Sequence, residues 1–197
     1  GAWWVWQGAQ TSTAVEATDA VSEFRTADAT PDAPPRPGVP AAGVYRYRVT
    51  GEEAAGSGVL SAERPLPAEA VYIISPTAEG YHEDLRFSQE HVEEARFRVD
   101  PEGTTAEWRR TKVTFVGIGA DTRDDVVPAA LDHPRPMRAG DEWGGDYQLG
   151  ELAVSYTARV TGTGTATVDG RSVRTVTYRT DATFEGPTPG TRTDIVE

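Results

Sequence analysis

Cysteine is absent from all 197 residues. That single absence excludes disulfides, thiolate nucleophiles and thiolate metal sites together, and it leaves the redox compartment open. Lysine is nearly absent too. Lys112 is the only one, so the basic charge is carried by Arg, a bias of composition without a functional message. Positive charge is short overall, with 19 Lys and Arg against 31 Asp and Glu and a net charge of -12. Nucleic-acid binding draws on a concentrated basic surface, so a nucleic-acid partner is excluded. Long apolar runs are also missing. Nothing approaches the roughly 18 residues that a membrane-spanning helix needs, hydrophobic content is 38%, and mean hydropathy is -0.49.

The apolar residues that are present alternate, which disorder would not produce. In the segment Leu152 to Glu185, Val154, Tyr156, Ala158 and Val160, then Val176, Tyr178, Ala182 and Phe184, stand at every second position around Asp169-Gly170. This is the signature of one long β-hairpin. A two-residue turn carried straight through would set Tyr156 against Thr183, apolar against polar. A three-residue loop, Val168-Asp169-Gly170 with Gly170 left-handed, instead sets Val160 opposite Tyr178, Tyr156 opposite Ala182 and Val154 opposite Phe184. One residue of slip turns every side chain over, so the three-residue form is adopted. A compensating bulge at Gly162 or Gly164 is the equivalent alternative. Arms of some fifteen residues, about 50 Å long, must coil within a small domain.

Along the chain, residues 1–8 hold Trp3, Trp4 and Trp6 and are read as the outer end of a transmembrane helix, because Trp collects where a span meets water. Residues 9–26 are expected to form a short helix with a narrow apolar stripe at Val21 and Phe24, and Thr18 could cap a shorter version. Residues 27–42 form an extended linker, with five Pro between Thr30 and Pro40. A β domain then covers residues 43–197. Its first strand places Tyr45, Tyr47 and Val49 inward. Val71 to Ile74, apolar on both faces, is expected to be central in the sheet. The hairpin around Asp100-Pro101-Glu102-Gly103 is left with two registers. A bulged three-residue loop pairs Arg96 with Trp108, and a four-residue loop pairs Ala95 with Trp108 and Phe97 with Ala106. Residues 117–147 lack periodicity and are expected to form a long loop.

Candidate chemistry is sparse. His82, Glu83 and Asp84, with Glu90, His91, Glu93 and Glu94, offer pairs of ligands on a strand face. Zn sites need three or four converging ligands, so a charged, solvated strand edge accounts for these residues better. Asp121, Asp124, Asp125, Asp141, Glu142 and Asp146 could serve Ca²⁺, but their spacing is not that of an EF-hand. No G-x-S-x-G elbow or phosphate-cradling loop is present. The chain is therefore read as non-enzymatic, with no catalytic residue, metal or cofactor. The feature with functional promise is a concave apolar surface. Tyr47, Trp108, Tyr156, Tyr178 and Phe184 are its candidate ligand-facing residues, suited to an acyl chain if the strands coil round.

Several short motifs resemble a known group. The Trp-rich start is followed by Ala20-Val21-Ser22-Glu23-Phe24-Arg25, the Pro-rich linker and Gly43-Val44-Tyr45-Arg46-Tyr47. Arg138-Ala139-Gly140-Asp141-Glu142-Trp143 and Val168-Asp169-Gly170-Arg171-Ser172-Val173 come later. Together they resemble the extracytoplasmic part of actinobacterial single-span envelope proteins. The strand pattern is in turn similar to LolA/LolB-like lipoprotein carriers, in which a half-barrel wraps a helix and holds acyl chains. The resemblance implies a mainly β, strongly curved antiparallel sheet with one short N-terminal helix. It also implies a membrane-anchored, extracytoplasmic location and a lipid or other apolar ligand. The alternative is a structural or protein-interaction domain with a filled core.

Overall fold

The computed structural model describes residues 12–26, 36–55, 62–115, 118–168, 170–187 and 189–197. The Trp-rich segment and most of the Pro-rich linker lie outside them. The described residues form one helix, α1 (Ala17–Thr26), and twelve strands. These are β1 (Gly43–Arg48), β2 (Glu52–Ala55), β3 (Ala62–Pro65), β4 (Glu69–Pro76), β5 (Gly80–Arg86) and β6 (His91–Val99). They continue with β7 (Gly103–Phe115), β8 (Ile118–Pro134), β9 (Glu142–Leu149), β10 (Leu152–Val168), β11 (Arg171–Glu185) and β12 (Gly190–Val196). β2 and β3 make a separate ribbon, tied to the rest by buried Arg64, which donates to the Thr114 carbonyl at 3.0 Å. The other ten strands form one antiparallel sheet in the order β1-β4-β5-β6-β7-β8-β9-β10-β11-β12. It curls through 243° as a half-barrel.

Cross-strand partners share a face, so the register shows which side chains point inward. Tyr45 lies opposite Tyr72, Tyr81 opposite Phe97, and Phe97 opposite Ala106. Buried Ile74, Tyr81, Ala95, Phe97, Ala106 and Val126 come from β4 to β8 and meet in one cluster, against which Tyr147 and Leu149 of β9 pack. Residues from so many successive strands touch one another only on a concave side.

The helix lies on the other side. Ala20, fully buried, packs with Val71 and Ile73, and Ala17, Phe24 and Val44 join them. Ala17, Ala20 and Phe24 fall on one helical stripe. Glu23 pairs with Arg86 of β5 at 2.7 Å. Val44, Val71 and Ile73 alternate with the inward Tyr45, Tyr72 and Ile74, so α1 covers the outer face. This differs from the carrier-like arrangement implied by the resemblance, in which the sheet wraps its helix. It also explains why Val71 to Ile74 are apolar on both faces although β4 is second from an edge, not central. The helix starts at Ala17, later than the expected residue 9; the described residues before it form no helix or strand, and the Gln89 amide donates to the Thr13 carbonyl at 2.9 Å.

Both hairpins settle their register by bulging. In β10–β11, Val160 faces Tyr178, Tyr156 faces Ala182 and Val154 faces Phe184, but Val168 faces Arg171. The turn thus spans two residues, with Gly170 at a φ of 74°. The expected three-residue loop is replaced by its stated alternative, a slip between Val160 and Gly162. In β6–β7, Phe97 faces Ala106 as a four-residue loop requires, and Arg96 faces Trp108 as a three-residue loop requires. Glu107 is the extra residue that makes both true.

Residues 117–147 are not a long loop. β8 runs beside β7 over most of its length, with Arg110 held on Asp121 by two bonds of 2.7 and 2.8 Å, and β9 follows after a short connection. Strand pairing here rests on backbone bonds and ion pairs instead of apolar alternation. The sheet has one weak seam. β8 meets β9 through just two register pairs, Val126 with Leu149 and Val127 with Gln148.

Candidate functional site

Four of the five ligand-facing candidates share the inner face. Tyr156, Tyr178 and Phe184 follow from the β10–β11 register, and Tyr47 follows Tyr45 on β1. Tyr47 is 43% exposed and sits edge-on to Tyr72, ring centroids 5.3 Å apart. Trp108 is the exception. The bulge at Glu107 places it in the row of His82 and Arg96, on the outer face. There its ring lies 5.3 Å from that of His82, and the Arg123 guanidinium stands 4.1 Å above it. Trp108 is therefore not part of the concavity.

The inner face also holds charge that the sequence did not advertise. Glu83 stands between Ile74 and Ala95, Glu93 between Leu85 and Thr111, and Arg109 next to Ala95. Tyr72 donates its hydroxyl to Glu83. Burial raises the Glu83 carboxyl to about 7, partly offset by that hydrogen bond. The Arg109 Nη2 donates to Asp132 Oδ1 at 3.0 Å, and His133 bonds the other Asp132 oxygen at 3.0 Å. Burial alone would raise Asp132, but the His133 bond and the Arg109 charge hold it below the usual carboxylate value. Glu93 shows the same balance. Burial pushes it up, and the Arg192 charge with the His91 bond brings it well below the ordinary range. Its Oε1 lies 2.6 Å from Arg192 Nη1 and 3.0 Å from His91 Nε2.

The Arg192 contact has architectural meaning. Arg192 is on β12, the last strand, and Glu93 is on β6, six strands away in the sheet. Their ion pair crosses the half-barrel. A second Arg192 bond, Nε to Asp194 at 2.7 Å, stiffens the guanidinium. The seam is closed by side chains in the same way. Trp143 Nε1 donates to the Asp132 carbonyl at 2.7 Å, and the Tyr156 hydroxyl donates to the Leu131 carbonyl at 2.6 Å. Tyr156 and Tyr178, both displaced upward by burial, Tyr156 to about 12, are structural hydroxyls at physiological pH.

The carboxylates considered for cations are dispersed into other roles. Asp121 pairs with Arg110, Asp146 accepts from Ser155 at 2.5 Å, and Asp141 accepts the Arg138 amide at 2.7 Å. Among the described residues, no group of three or more His, Asp and Glu comes together as a metal site. His82 faces Glu94 at 3.6 Å on the outer side.

Glu83, Glu93, Arg109, Asp132 and Arg192 were not singled out as an inner-face set. A signal existed for two of them. Glu83 has the strand parity of Tyr81, and Glu93 that of Ala95, Phe97 and Val99, so both belong to the buried side. Asp132 and Arg192 carried no such signal. Two surface cavities open away from the core. One of about 1090 Å³ lies chiefly against outer-face residues of β9 to β11, including Gly144, Ser155, Thr157, Arg159 and Asp181. The other, about 510 Å³, lies between Arg36, Val99, Pro101 and Arg135. Among the described residues, no helix is long and apolar enough to cross a membrane. No family model, curated protein or solved structure matches this chain.

Proposed function

We propose that this is a non-enzymatic structural or protein-interaction domain of a cell envelope, its concavity filled by its own side chains. The observation that carries the reading is the Arg192–Glu93 ion pair laid across the inner face, beside Arg109–Asp132. An acyl chain entering there would have to displace charges already paired, at a cost of about 1–2 kcal/mol for the partly exposed Arg192–Glu93 pair. The surface left for a partner is the outer face of β9 to β11, where hydroxyls and charges of both signs line the larger cavity. The membrane tether belongs to the proposal through Trp3, Trp4 and Trp6, and the extracytoplasmic location through the resemblance to envelope proteins. Native mass spectrometry of protein extracted gently from its host is the test. The expected result is the bare polypeptide mass, with cross-links to a protein partner from residues around Arg159 and Asp181.

A second reading, binding of a lipid or other apolar ligand, is favoured by one feature. Tyr147, Tyr156, Tyr178 and Phe184 form an aromatic stripe on the inner face of β9 to β11. Stoichiometric co-purifying lipid would establish it and remove the first reading.

A further inference from the structure

The inner face is short of cations. Among the described residues, Glu83, Glu93, Asp124 and Asp132 all lie there, and two guanidiniums answer them. Arg192 takes Glu93, and Arg109 takes Asp132. Glu83 is left over with the Tyr72 hydroxyl as its hydrogen-bond partner, and Asp124 shares its face opposite Arg109. Arg109 meanwhile has a buried Nε–H with no acceptor, since its bond to Asp132 uses Nη2. A buried donor left without an acceptor is costly.

These two unmatched groups are neighbours by construction. Glu83 and Arg109 are both register partners of Ala95, one on each side. Their backbones are two strand spacings apart, about 10 Å, and only the Ala95 methyl stands between. A glutamate and an arginine can span that gap, which a larger residue at 95 would close.

We propose that Glu83 is a proton-operated switch of the inner face: with its proton it rests on the Tyr72 hydroxyl, and on losing it the carboxylate turns to the vacant Nε–H of Arg109. The groups facing this pair are Tyr47 on β1, Tyr72 on β4, Tyr81 on β5, Glu93 on β6, Asp132 on β8 and Tyr178 on β11. Tyr147 of β9 and Asp124 of β8 face Arg109, and Arg192 of β12 reaches Glu93. The tyrosines stay neutral because burial raises them, and Glu93 and Asp132 stay ionised. Glu83, raised to about 7 by burial, is left as the carboxylate that changes charge near neutral pH. Its movement reaches the seam, because Arg109 would then divide itself between Glu83 and Asp132, the residue whose carbonyl receives Trp143.

The test follows two nuclei in the intact protein. Carboxyl ¹³C shifts of glutamate report the Glu83 proton, and the ¹⁵N shift of Arg109 Nε reports its new acceptor. Both are expected to titrate together with a midpoint within about one unit of pH 7. Glu83→Gln should abolish the Nε titration, and Ala95→Leu, which closes the gap between the two side chains, should leave the Nε shift flat while Glu83 still titrates. A Glu83 carboxyl titrating below pH 5.5, or an Nε shift flat from pH 5.5 to 8.5, overturns the proposal. The wild-type titration decides the matter even if either variant fails to fold.

Discussion

The two halves of the rolled sheet are stabilised differently. Strands β1 and β4 to β8 are buried from both sides where it matters, by Phe97 and Ile74 within and by α1 without. Strands β9 to β12 bury one face only, and only near their root, through Val154, Ala158 and Val160. Beyond Thr161, β10 and β11 continue as a two-stranded ribbon exposed over most of its surface. The difference shows where cohesion resides: among the described residues, the second half depends on the first through two backbone pairs, two side-chain bonds, one ion pair and the packing of Tyr147 and Leu149 on the first half's core. A narrow join of that kind couples the halves weakly and makes partial opening cheaper than complete unfolding.

The comparison is broken most severely at the first half's core. Phe97→Ala removes a ring stacked 5.0 Å from Tyr81 and is expected to cost about 3–5 kcal/mol, measured by denaturant unfolding. If the second half stays as protected as before in hydrogen exchange, the dependence described here is wrong. Arg192→Gln comes next. Its side chain is 40% exposed, which lowers the cost to about 1–2 kcal/mol, confined to β12 and its neighbours.

The same ion pair sets the acid limit of stability. Glu93 and Asp132 are held below their unfolded values, so their contribution is present above about pH 4.5 and fades as pH falls further. Glu83 is raised, so its contribution is complete below its unfolded value and is lost as pH rises through about 7. Melting temperature should therefore peak between these limits, and Arg192→Gln should blunt the acid side alone. Trp143→Phe deletes the bond to Asp132 and is expected to cost about 1 kcal/mol, read as faster exchange at the seam. Thr165→Ser, on the ribbon, should change stability by less than about 0.5 kcal/mol.

Much of this architecture was legible because parity is a strong signal. The pairing of Tyr156 with Ala182 follows from matching apolar faces, and it holds although the turn is shorter than expected. Parity cannot say where a compensating residue will sit, so Thr161 and Glu107 were beyond reach, and Glu107 carried Trp108 to the wrong side. β8 escaped because Asp121, Arg123, Asp124 and Asp125 mask any alternation; its partners on β7 are polar as well. The helix placement was hidden for another reason. A stripe of Ala and Phe shows that α1 must pack, not on which face. The ion pairs were overlooked because charge on a strand usually means solvent, and here the curl of the sheet removed it.

From β4 onward each strand pairs with the next in sequence. Such a meander has low contact order, and its assembly resembles winding a strip from one end. The Arg192–Glu93 bond joins positions 99 residues apart, so it cannot form until the winding is done. We expect protection at β12 to arrive after that at β6 and β7 in pulse-labelled refolding; simultaneous arrival would mean the sheet condenses as a unit. On the expected sequence, that one guanidinium is the fastening on a scroll.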